Sequence, residues 1–198
     1  MEFIFNKDAL FLYLIRTGAG TPTEQDAVIS LSLMYFNDNG EAKVIIDKTF
    51  DLDYPIDELT TELTDFADWA VKGLPKISKE DLFIIKSALN ETDTIAGYDI
   101  VDNLRFLCAV HPEITFPSKK LIDLNYNPDA DSQKWDTFRE ACEHWGIPLK
   151  EFSRSHPVFN YPLTAGYICR RSYRLYKCLC TGEKYILTDM DICQDVPF

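Results

Sequence analysis

Apolar residues run without a break from Leu10 to Ile15, the pattern of a strand covered on both faces. Ala27 to Phe36 (AVISLSLMYF) alternates as a second strand, and Asn37-Asp38-Asn39-Gly40 follows it with the chemistry of a tight turn. Lys43 to Phe50 (KVIIDKTF) reads as a third strand, so residues 10–50 predict a three-stranded antiparallel meander.

The period then lengthens. Leu59, Leu63, Phe66 and Ala70 recur at helical spacing, with Pro75 closing the segment. Lys79 to Leu89 predicts a second helix, with Leu82, Ile85 and Leu89 on one side. Thr92 to Ala96 is a short strand, a third helix begins near Leu104, and Lys120 to Leu124 is another short strand. Phe138, Ala141, Cys142 and Trp145 stripe a fourth helix that Gly146 and Pro148 end. Pro162 is placed to open a fifth helix carrying Ile168, Leu175 and Leu179, and Lys184 to Leu187 is strand-like. The order β-β-β-α-α-β-α-β-α-α predicts an α/β domain: one mixed sheet with helices on its faces.

Composition changes this picture little. A chain of 198 residues with 46% apolar and 26% charged residues suits a single domain, 1–198, with a full core. The apolar run Ala9–Ile15 is too short to span a membrane and has no basic region before it, so a cytoplasmic location is the default expectation. The six cysteines form no C-x-x-C pair and sit among apolar residues, as small buried hydrophobes do. Cys178 and Cys180 form a C-x-C pair, a weak metal or redox signal with no second pair to match it.

Charge matters more. The net charge of −12 repels a phosphate backbone at long range and argues against tight, non-specific nucleic-acid binding. It leaves room for a local basic groove. Arg170, Arg174 and Lys177 share one helix face; as a bland feature they are a solvated stripe, as a functional one a phosphate or partner patch. No phosphate loop, nucleophile elbow, zinc signature or dinucleotide fingerprint occurs.

Several segments, in order, resemble the DEDDh 3′–5′ exonucleases, whose fold is ribonuclease H-like. Tyr13-Leu14-Ile15-Arg16-Thr17-Gly18 resembles the family's first motif, a strand ending D-x-E-T-T-G. Gly97-Tyr98-Asp99-Ile100-Val101-Asp102-Asn103-Leu104-Arg105-Phe106-Leu107 resembles the second, G-H-N-x-x-F-D-x-x-F-L. Leu121-Ile122-Asp123-Leu124 resembles a strand of type I-D-T-L, and Trp145-Gly146-Ile147-Pro148 a helix ending in L-G-I-P. His156 and Tyr161 hold the ends of the last motif, H-x-x-x-x-D. The resemblance covers residues 10 to about 180, leaving 181–198 as a C-terminal extension.

The resemblance implies a two-metal nuclease, in which carboxylates hold two divalent ions and a histidine acts as general base. The acidic positions read Tyr13, Ile15, Asn103 and Tyr161, and only His156 keeps the family's residue type. Asn103 keeps the shape of aspartate with a neutral oxygen, and Phe11 to Gly20 contains no acid at all. A shift of one residue in the second motif would bring in Asp102 or Asp99, which read alone are helix caps. Likewise His156, beside Pro157, read alone is a surface-loop histidine.

The expectation is therefore a catalytically inactive, exonuclease-like module without cofactor or metal. It would bind a protein partner, or a single-stranded nucleic acid weakly through Arg170, Arg174 and Lys177, and would not engage a membrane. The alternative is an active 3′–5′ exonuclease using Mg²⁺ or Mn²⁺ with displaced acids, and a third class is a structural subunit of a larger assembly.

Overall fold

The computed structural model describes residues 8–18, 22–115, 118–127, 129, 134–149 and 164–186. Its strands are β1 (Leu10–Arg16), β2 (Val28–Phe36), β3 (Ala42–Thr49), β4 (Thr94–Gly97) and β5 (Lys120–Asp123). Its helices are α1 (Glu58–Thr64), α2 (Asp68–Val71), α3 (Lys79–Glu91), α4 (Ile100–Val110), α5 (Phe138–Trp145) and α6 (Ala165–Thr181).

The strands form one five-stranded sheet in the order β3-β2-β1-β4-β5. The leading meander is antiparallel, with Leu12 opposite Leu33 and Leu33 opposite Ile46. β4 and β5 extend it in parallel with β1. This is the mixed α/β sheet that the hydrophobic pattern predicts.

β1 is central, which explains its unbroken apolar run. Leu10, Leu12 and Leu14 pack with Ile85 and Leu89 of α3 and Leu104 and Leu107 of α4. Phe11 points to the opposite face, among Ala141 and Cys142 of α5 and Cys169, Tyr173 and Tyr176 of α6. Ile15 joins a smaller cluster with Ile29, Phe66, Val71 and Ile168. The cysteines among these residues are free thiols, and burial pushes Cys142 and Cys169 up to about 12, so they behave as apolar side chains.

Most element ends fall within two residues of the predicted ones, and three readings differ by more. The single helix expected over Leu59–Ala70 is broken, because Asp65 takes a left-handed conformation (φ 59°) and caps α1. Leu59 and Leu63 face solvent, while Thr60 is buried. α4 begins at Ile100, ahead of the expected start at Leu104, and Asp99 is its N-cap residue without a side-chain capping bond. Lys184 to Ile186 are not a strand; instead the Tyr185 N–H donates to the Trp145 carbonyl at 2.8 Å. Leu187 and Pro162 lie outside the described residues.

Close approach fixes one further point. A Cβ on Gly97 would collide with the Leu12 carbonyl oxygen, so glycine lets the end of β4 lie against β1.

Candidate functional site

The carboxyl ends of parallel strands are where an open α/β sheet offers a crevice. Here β1, β4 and β5 end together, and the residues leaving them meet the N-terminal ends of α4, α5 and α6.

Tyr13 and Ile15 both lie near that end of β1. The Tyr13 ring packs against Phe138 of α5 with centroids 6.4 Å apart. Tyr98, just beyond β4, meets the same ring edge-on at 5.1 Å. Ile15 shares its cluster with Ile168 of α6, and Tyr13 and Phe138 pack against that cluster as well. The end of β1 is thus closed by aromatic and aliphatic side chains.

The phenols stay protonated. Burial pushes Tyr13 up to about 12, the charge of Asp99 adds to the effect, and Arg16 opposes it. Tyr98 is raised further, by burial first and then by Asp99, Tyr13, Asp123 and Cys142. Its hydroxyl is buried and has no hydrogen-bond partner among the described residues.

The acids of this region lie on the β4–β5 side. The Asp123 carboxylate accepts from the N–H groups of Asp99 and Asn125, both at 3.0 Å. Asn125 Nδ2 donates to Asp99 Oδ1 at 2.9 Å, and Asn125 Oδ1 accepts the Trp135 N–H at 2.8 Å. Burial raises the Asp123 carboxyl above its ordinary range, against the lowering by the Asn125 N–H. This network holds Asp99 in a left-handed conformation (φ 51°) and ties the two strand ends together.

Asn103 is buried in α4, and its Nδ2 donates to the Tyr98 carbonyl at 3.0 Å. Asn103 thus holds the backbone of Tyr98, whose ring meets Phe138 as that of Tyr13 does. Asp102 is exposed and pairs with Arg105 at 3.4 Å. His156 and Tyr161 lie outside the described residues. Among the described residues no group of three or more His, Cys, Asp or Glu side chains could hold a metal ion.

The basic residues of α6 are not the freely solvated stripe that spacing alone allows. Arg174 is only 6% exposed, with its guanidinium 5.3 Å over the Tyr185 ring. Arg170 Nη1 lies 3.4 Å from Met34 Sδ, and Lys177 Nζ donates to the Asp38 carbonyl at 3.4 Å. They line a cavity further along α6 and do not meet the Tyr13 cluster. Sequence reading missed Phe138 as the ring on which Tyr13 and Tyr98 converge, and Asn125 as the bridge to Asp99. Phe138 carried a signal only as part of a helical stripe, and Asn125 carried none.

No family model matches the sequence, and no curated protein matches it. Solved structures do share the fold. Exonuclease X in complex with 5′ overhanging duplex DNA superposes with a TM-score of 0.57 and 9% identity, over 90% of this chain and 94% of that one. Product-bound exonuclease I superposes with a TM-score of 0.56 and 13% identity, over 85% of this chain and 42% of that one. Exonuclease I with an inhibitor gives 0.54 and 13%, over 87% and 43%. The chain thus spans less than half the length of exonuclease I. At such identities the likeness is one of fold, an exonuclease-like α/β architecture consistent with the ribonuclease H-like class.

Proposed function

We propose that this chain is a DEDDh-like exonuclease module without nuclease chemistry, which acts by binding a partner. The observation that carries the reading is the closure of the β1 end by Tyr13, Tyr98 and Phe138, with Ile15 in an apolar cluster beside them. Two-metal cleavage needs two divalent ions about 4 Å apart, each held by carboxylate oxygens. A protonated phenol and an isoleucine supply neither charge nor ligands, so the residues at this position do not fit Mg²⁺ or Mn²⁺.

A protein partner fits the surface. Leu59 and Leu63, one turn apart on α1, are 54% and 70% exposed, and Trp69 on α2 is 66% exposed. Exposed apolar and aromatic side chains of this kind anchor protein contacts. Nucleic acid is the weaker candidate on charge grounds.

Asp99 and Asp123 sustain the second reading, an active exonuclease with displaced acids, because they are neighbours at the right end of the sheet. Their oxygens already accept structural hydrogen bonds, which weighs against it.

Incubating the full chain with single-stranded DNA and RNA, with Mg²⁺ or Mn²⁺, decides between them. No cleavage above the metal-free control is expected. Metal-dependent cleavage that disappears in His156→Ala would establish a working site and overturn the proposal. Co-purification then separates a binding module from a structural subunit.

A further inference from the structure

A cavity of about 290 Å³ opens beside the C-terminal half of α6, near the β2–β3 turn and the segment after Gly182. Its lining on α6 runs from Arg170 to Thr181, and Tyr13, Ile15, Tyr98, Phe138 and Ile168 are not among its described lining residues. The cluster around Tyr13 takes no part in it, so it stands whatever the fate of the strand-end site.

Its chemistry runs against that of the whole molecule. Arg170, Arg174, Lys177 and Lys184 line it, and Glu183 is the sole carboxylate among its described lining residues. This cationic concentration occurs in a chain of net charge −12. Arg170 shares its charge with Asp47, whose carboxyl it draws down against the larger upward effect of burial. Arg174 lies over the Tyr185 ring, and Lys177 Nζ is 5.9 Å from the centroid of Tyr173. A cation over an aromatic face is attracted by the ring's quadrupole. The cavity is a small concavity with four cations and one carboxylate among its described lining residues and with aromatic walls, at the low end of the size range of small-ligand sites.

We propose that this cavity binds a phosphomonoester anion, with Lys177 and Lys184 meeting the phosphate and Arg174 behind them. The group could come from a free nucleotide or from the phosphorylated end of a nucleic acid, since both present the same dianion.

Calorimetric titration of the full chain at low salt tests this with inorganic phosphate, adenosine 5′-monophosphate and adenosine. Binding of the monophosphate and of phosphate, but not of adenosine, is expected. The double variant Lys177→Ala/Lys184→Ala should weaken it by about tenfold or more, the scale of losing charge-assisted hydrogen bonds. Lys79→Ala/Lys86→Ala removes the same charge on α3 and should leave affinity unchanged. These are lysine truncations in partly or fully exposed side chains, and melting curves confirm that the variants are folded. A 5′-phosphorylated oligonucleotide that binds more tightly than the monophosphate identifies a nucleic-acid end as the source; the reverse order identifies a nucleotide. Absence of phosphate binding by the wild type, equal binding of adenosine, or equal weakening in the α3 control each overturns the proposal. None of these outcomes depends on nuclease activity.

Discussion

The Asn103 amide donates to the Tyr98 carbonyl from a position only 7% exposed. From sequence, Asn103 reads as an aspartate that has lost its charge. The structure assigns weight to the other half of the amide, the donor that a carboxylate lacks. Asn103→Asp would set a carboxylate oxygen against a carbonyl oxygen in a buried place, and at neutral pH it should destabilise the fold by about 1–3 kcal/mol. In this buried place, with a carbonyl oxygen as its neighbour, the new carboxyl would titrate above its unfolded value of about 4. The sign follows from linkage: a raised folded value leaves stability intact below about pH 4 and removes it as pH rises. Thermal melts at pH 7 and pH 4 should show a large deficit at the first and a small one at the second. A deficit equal at both would show that shape, not charge, is at fault. Tyr13 and Ile15 were legible as strand residues of the right stretch, yet nothing local announces that Tyr13 and Tyr98 meet on Phe138, because that contact joins separate elements.

Elements were legible where one periodic pattern meets one buried face. α3 follows its apolar spacing, and Leu82, Ile85 and Leu89 are all buried. α1 does not follow its spacing, because polar bonds outrank the stripe. Asp57 accepts from the Thr60 N–H at 2.8 Å and the Thr60 hydroxyl at 2.6 Å, and Gly18 donates to that hydroxyl at 3.3 Å. Thr60 is thereby drawn inward and the leucines are turned out. Caps also decide α3. The Ser78 hydroxyl accepts the Asp81 N–H at 3.1 Å, and Asp81 accepts the Ser78 N–H at 3.0 Å and Lys48 Nζ at 2.6 Å. Burial alone would raise the Asp81 carboxyl, but the bonds from Lys48 and Ser78 bring it below its ordinary value. A depressed carboxyl stabilises above its unfolded value and loses that contribution as pH falls through the folded one. Asp81→Asn should therefore cost about 1 kcal/mol at pH 7. The difference from wild type should shrink below about pH 4. Chemical denaturation at pH 7 and pH 3 measures it, and a pH-independent difference would mean that the charge of Asp81 contributes nothing.

At the scale of the molecule, charge governs what can approach. The fold is shared with exonucleases, one of them solved on duplex DNA. The net charge of −12 opposes the approach of any polyanion. The described cations that gather in one place are few, chiefly Arg170, Arg174 and Lys177 with Lys184 at the edge of the same cavity. Single-strand affinity falls with salt at a slope of about −0.7 per phosphate neutralised, so contacts by Arg170, Arg174 and Lys177 give a slope near −2. The protein as a whole should thus bind single-stranded DNA or RNA weakly, and raising salt should weaken the complex further. Lys177→Ala should make the slope shallower by about 0.7, the share of one phosphate contact. Fluorescence anisotropy with a labelled oligonucleotide across a salt series provides the slope for wild type and variant. Tight binding that ignores salt would mean that recognition rests on contacts outside the α6 cations, and the electrostatic account of this protein would then be wrong at its largest scale.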